Sequence, residues 1–249
     1  MQKRLFLHTV LALSASAGLA TAHTQAHAAT PLKFQLDWRF EGPAAFFLQP
    51  VAKGYFKDAG LDVTVDAGSG SGGVVQRVAS GAYDLGFADI AALMEFQANN
   101  PDMPNKPVAV MMVYNNTPAS VMALKKSGIA RTADLTGKKL GAPVFDAGRR
   151  AFPLFAKANQ VGTVQWTAMD PPLRETMLVR GDVDAITGFT FTSLLNLEAR
   201  GIKAAYVVVM PYADFGVKLY GNAIIASPKL IKENPAAIKA FLQAFAKGA

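Results

Sequence analysis

The sequence predicts an α/β protein with mostly parallel sheets and helices on both faces. Three observations carry this. Short β-branched or alternating apolar runs recur along the chain, each followed by a loop and an apolar segment of helix length. That order repeats on both sides of a break at Asn115 to Ser120. After the first thirty residues no stretch reaches the roughly 20 apolar residues of a membrane span.

Leu32 to Leu36 alternates and ends at Asp37-Trp38, a strand running into a loop. Pro43 to Phe56 reads as a helix stopped by Gly60, and Leu61 to Val65 as a second strand. A Gly/Ser loop, Gly68 to Gly73, opens onto a short helix, Val74 to Ser80. Tyr83 to Phe87 is a third strand, Ala88-Asp89 caps a helix from Ile90 to about Asn99, and Val108 to Tyr114 is a fourth strand. Beyond the break, Val121 to Lys125 is a strand, and a turn at Asp134 to Lys138 leads into Lys139 to Ala142. A helix follows at Gly148 to Ala158 and a strand at Val164 to Ala168. Pro171-Pro172 starts another helix, since proline suits a first turn. Val183 to Gly188 and Ala204 to Met210 are strands around a helix, Thr190 to Arg200. Leu219 to Ala226 is a strand placed to rejoin the first sheet, and Pro228 to Lys247 a final amphipathic helix.

The first residues predict export. Lys3-Arg4 is basic, Leu5 to Leu19 is mostly apolar and uncharged, and Ala26-His27-Ala28 supplies small residues flanking a cleavage position. Residues 1–28 therefore read as a secretory signal peptide, and the expected location is the periplasm. All three histidines, His8, His23 and His27, lie in that segment, and the chain has no Cys. The remainder cannot use Ser-His-Asp or Cys-His catalysis, histidine acid–base chemistry or the usual zinc sites. No catalytic residue, metal site or cofactor is expected. The net charge of +7 falls to about +5 without Lys3 and Arg4. No basic run interleaves with aromatics, so nucleic acid is not an expected partner.

Four segments carry a resemblance. They are Phe34-Gln35-Leu36-Asp37-Trp38, Lys53 to Val63 (KGYFKDAGLDV), Val78 to Asp89 (VASGAYDLGFAD) and Asp134 to Gly141 (DLTGKKLG). In that order and spacing they resemble the NMT1/THI5-like, nitrate/sulfonate/taurine-type substrate-binding proteins of ABC transporters, over residues 31 to 249. The resemblance implies the type II periplasmic binding protein fold: two α/β lobes, a ligand cleft and two crossover hinges, near Asn115–Ala119 and Pro211–Lys218. The implied division is 29–116 with 219–249 as the first lobe and 117–218 as the second. The implied function is capture of a small molecule by a monomer that delivers it to an ABC permease in the inner membrane. Such proteins usually run further, so the distal helices that brace the lobes are expected to be missing, as in a C-terminally truncated copy.

The expected binding residues follow strand ends, where loops and helix N-termini converge in open α/β sheets. In the first lobe they are Asp37, Trp38 and Phe40, then Gly70, Ser71 and Gly72, then Asp89, then Tyr114. Trp38 offers a stacking face, or packs under the loop as core. Asp37 accepts from a ring amine, or caps the next turn. The glycine loop holds an anion on free N–H groups, or is simply a permissive turn. Asp89 is most simply an N-cap. In the second lobe the candidates are Phe145, Asp146, Arg149, Phe189 and Thr190. Arg149 falls in a first helical turn, unfavourable for a cation without a partner, and can pair with Asp146 or with an anionic ligand. Phe189 and Thr190 stack and hydrogen-bond, or fill the core and cap a helix. Together they suggest a planar aromatic or heterocyclic solute, while the resemblance also admits anions. The alternatives are a THI5-like pyrimidine-synthesis enzyme and a non-functional truncated copy.

Overall fold

The computed structural model describes residues 28–249; the expected signal peptide, residues 1–28, lies outside these apart from Ala28. The first sheet has five strands in the order β2-β1-β3-β10-β4. These are β1 (Thr30–Gln35), β2 (Leu61–Asp66), β3 (Leu85–Asp89), β4 (Val108–Met112) and β10 (Asn222–Ala226). The second runs β7-β6-β8-β5-β9. Its strands are β5 (Ala119–Leu124), β6 (Lys139–Gly141), β7 (Gln165–Thr167), β8 (Ala185–Phe189) and β9 (Val207–Pro211). In each sheet four strands run one way. The fifth, β10 or β5, is antiparallel to both its neighbours. Both exceptions enter directly from the other lobe, so each sheet is completed by a strand that has just crossed over.

The two crossovers, residues 113–118 and 212–221, lie side by side. Gly221 N–H donates to the Tyr114 carbonyl at 2.9 Å and Thr117 N–H to Leu219 at 2.9 Å. The lobes therefore share a short two-stranded connection, the geometry of a hinge.

Strand alternation sets the cores. In the first lobe Phe87 and Ile224 point to one face, packed by α1 (Ala45–Ala52), α2 (Tyr55–Asp58) and α9 (Pro235–Gly248). Ala88 and Ile225 point to the other, packed by α3 (Ser71–Ala79) and α4 (Ile90–Asn99). In the second lobe Val121 and Ala123 face α5 (Ala147–Ala158), while Met122 and Leu124 face α6 (Arg174–Arg180) and α7 (Thr190–Glu198).

Several boundaries differ from expectation, each for a local reason. The helix read over Pro43 to Phe56 is a 3-10 turn, then α1, then α2, with Gly54 at φ 75° between them. The final helix is two, α8 (Pro228–Glu233) and α9, because Pro235 disfavours the helical region for Asn234, which sits at φ −147°. The loop read over Gly68 to Gly73 ends at Gly70; Ser71, Gly72 and Gly73 are the first turn of α3. The third strand runs on to Asp89. An apolar groove lined by Val108, Met111, Ile231, Ile238 and Leu242 stays open beside the edge strand β4.

Candidate functional site

The parallel strands of both sheets end at one cleft, which encloses about 550 Å³ including its mouth. The first lobe contributes the loop after β1 (Asp37, Trp38, Arg39, Glu41), the start of α3 (Gly70, Ser71) and Phe47, Phe87 and Tyr114. The second contributes Asp146 and Ala147 at the start of α5, Arg174 at the start of α6, and Phe189, Phe191 and Thr192 after β8.

Polar groups gather at one side. Asp37 is buried, and its Oδ2 accepts from Asn222 Nδ2 at 2.7 Å and Ser71 Oγ at 3.3 Å. Ser71 Oγ in turn accepts the Asp89 N–H at 3.0 Å. Desolvation pushes the Asp37 carboxyl up to about 6, against the two hydrogen bonds that favour its charged form. Opposite sits Arg174, only 1% exposed. It donates to Asp146 Oδ2 at 3.3 Å, Glu175 Oε1 at 2.9 Å and Ser193 Oγ at 2.9 Å. Its guanidinium lies 4.5 Å from the centre of the Trp38 ring, so the indole of one lobe stacks on a cation of the other. Asp146 also accepts from Thr187 Oγ1 at 3.0 Å and caps α5 through the Arg149 N–H at 2.8 Å.

Aromatic rings line the other side. Tyr114 meets Phe189 at 6.4 Å and Phe191 at 5.9 Å, both edge-on, and Phe87 closes against Tyr114 at 5.5 Å. Burial raises the Tyr114 phenol above its usual range, helped by the nearby Asp37 charge, so it remains a donor at neutral pH.

The lobes also touch outside the cleft. Gly72 N–H donates to the Phe145 carbonyl at 3.2 Å, Arg150 pairs with Glu95 at 2.6 Å, and Asn196 donates to Glu41 at 3.2 Å. Gly70, at φ 138°, passes so close to Phe145 that a Cβ there would lie 2.2 Å from its carbonyl oxygen. Only glycine fits this contact.

Of the residues expected from sequence, Asp37, Trp38, Gly70, Ser71, Tyr114, Asp146 and Phe189 line the cleft. Six others do not. Phe40 is on the rim, 55% exposed. Gly72 and Phe145 pack against each other across the lobes. Asp89 caps α4 through the Ala91 N–H at 2.8 Å, and burial pushes its carboxyl up to about 7. Arg149 turns away, donating to the Ala142 carbonyl and stacking on Trp166 at 4.8 Å. Thr190 pairs with Ser120 at 2.5 Å. In the glycine loop the Gly72 N–H goes to Phe145, and the Gly73 and Val74 N–H groups go to the Gly70 carbonyl.

Sequence reasoning passed over Arg174, Phe191, Phe47 and Phe87. For Arg174 a signal existed. A cation in a first helical turn needs a partner, and Arg174 opens α6 as Arg149 lies in the first turn of α5.

Residues 44–249 match the family model described as NMT1/THI5 like. A riboflavin-binding protein from Chloroflexus aurantiacus is 27% identical over 201 residues, 79% of this chain and 55% of the relative. A 4-amino-5-hydroxymethyl-2-methylpyrimidine phosphate synthase from Aspergillus parasiticus is 26% identical over 223 residues, 86% of this chain and 64% of the relative. The chain thus spans just over half the length of the first and about two thirds of the second. Among solved structures, an alkanesulfonate-binding protein from Xanthomonas axonopodis bound to MOPS superposes with TM-score 0.69 at 14% identity, covering 88% of this chain and 73% of that one. Similarity at that identity concerns the fold, and the fold is the two-lobed type II periplasmic binding architecture.

Proposed function

Because the chain belongs to the NMT1/THI5-like family, we propose that it is the substrate-binding component of an ABC importer, capturing a small planar organic solute between its lobes. The observation that carries this is a cleft with aromatic and polar groups from both lobes, set at the strand ends where α/β sheets bind ligands. Closure about the crossovers 113–118 and 212–221 traps the solute, with Trp38, Tyr114, Phe189 and Phe191 on its faces and Asp37, Ser71 and Asp146 on its edges. The closed pair of lobes is what a permease in the inner membrane reads. The segment 1–28 directs the protein to the periplasm, where it acts as a monomer.

An enzymatic reading has in its favour relatives that are pyrimidine phosphate synthases. Against it stands the side-chain inventory, since no histidine follows His27 and no cysteine is present.

Thermal unfolding against a panel of pyrimidines, flavins, aromatic acids, sulfonates and nitrate tests the proposal. A captured solute at a hundred times its Kd raises the midpoint by about 5–10 °C for a chain of this size. Trp38→Ala is expected to remove most of that shift. A panel without any shift, or a shift indifferent to Trp38→Ala, contradicts capture at this cleft.

A further inference from the structure

The charge of the cleft selects among planar solutes, an inference that rests on the cleft being the binding site. Arg39 is matched by Glu41 at 3.0 Å. Arg174 faces two carboxylates, Asp146 at 3.3 Å and Glu175 at 2.8 Å. The other cations near the cleft are engaged elsewhere, Arg149 on Trp166 and Arg150 on Glu95.

Asp37 is different. No described cation forms a salt bridge with it, and both its side-chain hydrogen bonds end on Oδ2. Beside it the fully buried Asn222 keeps its amide Oδ1 without a hydrogen-bond partner among the described residues. Among the ionisable groups coupled to Asp37 are two further carboxyls and a phenol. They are Asp89 at the end of β3, Asp146 at the start of α5, and the neutral phenol of Tyr114 after β4. Its hydrogen-bond partners, Ser71 on α3 and Asn222 on β10, are neutral. Arg174 of α6 lies across the Trp38 ring with its charge already shared between two acids. This corner offers acceptors and a surplus of negative charge, and at the start of α3 the Gly72 N–H is held by Phe145 and those of Gly73 and Val74 by Gly70.

We propose that the cleft takes a planar ring bearing a cationic N–H edge, an amidinium or a protonated amino-heterocycle, with those N–H groups on Asp37. It rejects ring sulfonates and carboxylates. The cation supplies the counter-charge that Asp37 lacks, and the ring fills the aromatic side of the same cleft. The desolvation that lifts the Asp37 carboxyl to about 6 reports this missing partner.

Three probes share one ring and differ in charge: benzamidine, benzamide and benzenesulfonate. Titration calorimetry at pH 7 is expected to rank them in that order, with benzamidine at least tenfold tighter than benzenesulfonate. Benzamidine stays cationic between pH 5 and pH 7, so its affinity reports the protein's carboxylates. Affinity is expected to fall about tenfold from pH 7 to pH 5, as Asp37 takes up its proton. Asp37→Asn is expected to flatten that pH profile and to weaken benzamidine tenfold or more without weakening benzenesulfonate. The wild-type pH profile stands on its own should the variant fail to fold. Benzenesulfonate binding as tightly as benzamidine, with sensitivity to Trp38→Ala, overturns the charge selection and leaves capture at the cleft intact. Benzamidine binding that is flat with pH also overturns it. No binding by any of the three probes overturns the charge selection, and capture at the cleft then stands or falls with the solute panel.

Discussion

Asp37, Asp89 and Asp146 occupy matching places, each at the end of a parallel strand or just after it, but their surroundings give them different tasks. Asp146 has a guanidinium, a threonine and a backbone N–H, and serves as the structural anchor of the second lobe. Asp37 faces the cleft with neutral partners only. Asp89 is buried as the cap of α4, raised to about 7 by desolvation. Its folded form therefore holds a proton that the unfolded chain releases near pH 4. Between those values the folded state binds more protons, so stability falls as pH rises from about 4 to 7. Asn preserves the cap without the charge. Asp89→Asn is expected to stabilise the protein at pH 8 by roughly 1–4 kcal/mol and to change little at pH 4, as read from denaturant melts at the two pH values. An equal effect at both would show that Asp89 is not held neutral by burial. The cap and the candidate roles of Asp37, Trp38 and Asp146 were legible because strand ends are legible. Arg174 was legible only as a cation in a first helical turn that needs a partner; of its partners only Glu175 adjoins it in sequence, and Asp146 and Ser193 are supplied by folding.

At the scale of elements, the two lobes repeat one construction. In each, a helix ends at a left-handed glycine, Gly81 at φ 77° or Gly181 at φ 83°. Three residues later an aspartate, Asp84 or Asp184, accepts the N–H of Lys33 or Lys139 at 2.8 Å on the neighbouring strand. The repeat is invisible as sequence identity, because only the glycine and the aspartate are needed to end the helix and set the strand register. The element that most binds the first lobe together is α9. Its Phe241 stacks on Phe34 at 5.1 Å and Phe56 at 4.8 Å with no exposed surface. Phe241→Ala is expected to cost about 3–5 kcal/mol in denaturant unfolding. A loss under 1 kcal/mol would mean that α9 is not integral to that core. The amphipathic stripe from Pro228 to Lys247 announced this packing. The break at Asn234 was overlooked because the apolar period continues through it, although Pro235 alone dictates a boundary.

For the whole molecule, the account depends on two lobes that must part to admit a solute and meet to hold it. The chain contains no cysteine, so an engineered pair is unambiguous. A Cβ at Gly73 would lie 4.0 Å from the Cβ of Phe145 across the lobes, within disulfide range, and Gly73 and Phe145 do not line the cleft. The measurement is the affinity of the Gly73→Cys/Phe145→Cys protein, oxidised and then reduced, for the panel solute that stabilises the wild type most. Capture between the lobes requires that the oxidised protein, stapled shut before the solute is added, bind at least tenfold more weakly or more slowly, and that reduction restore wild-type binding. Equal binding in both redox states would place the solute elsewhere and contradict the account.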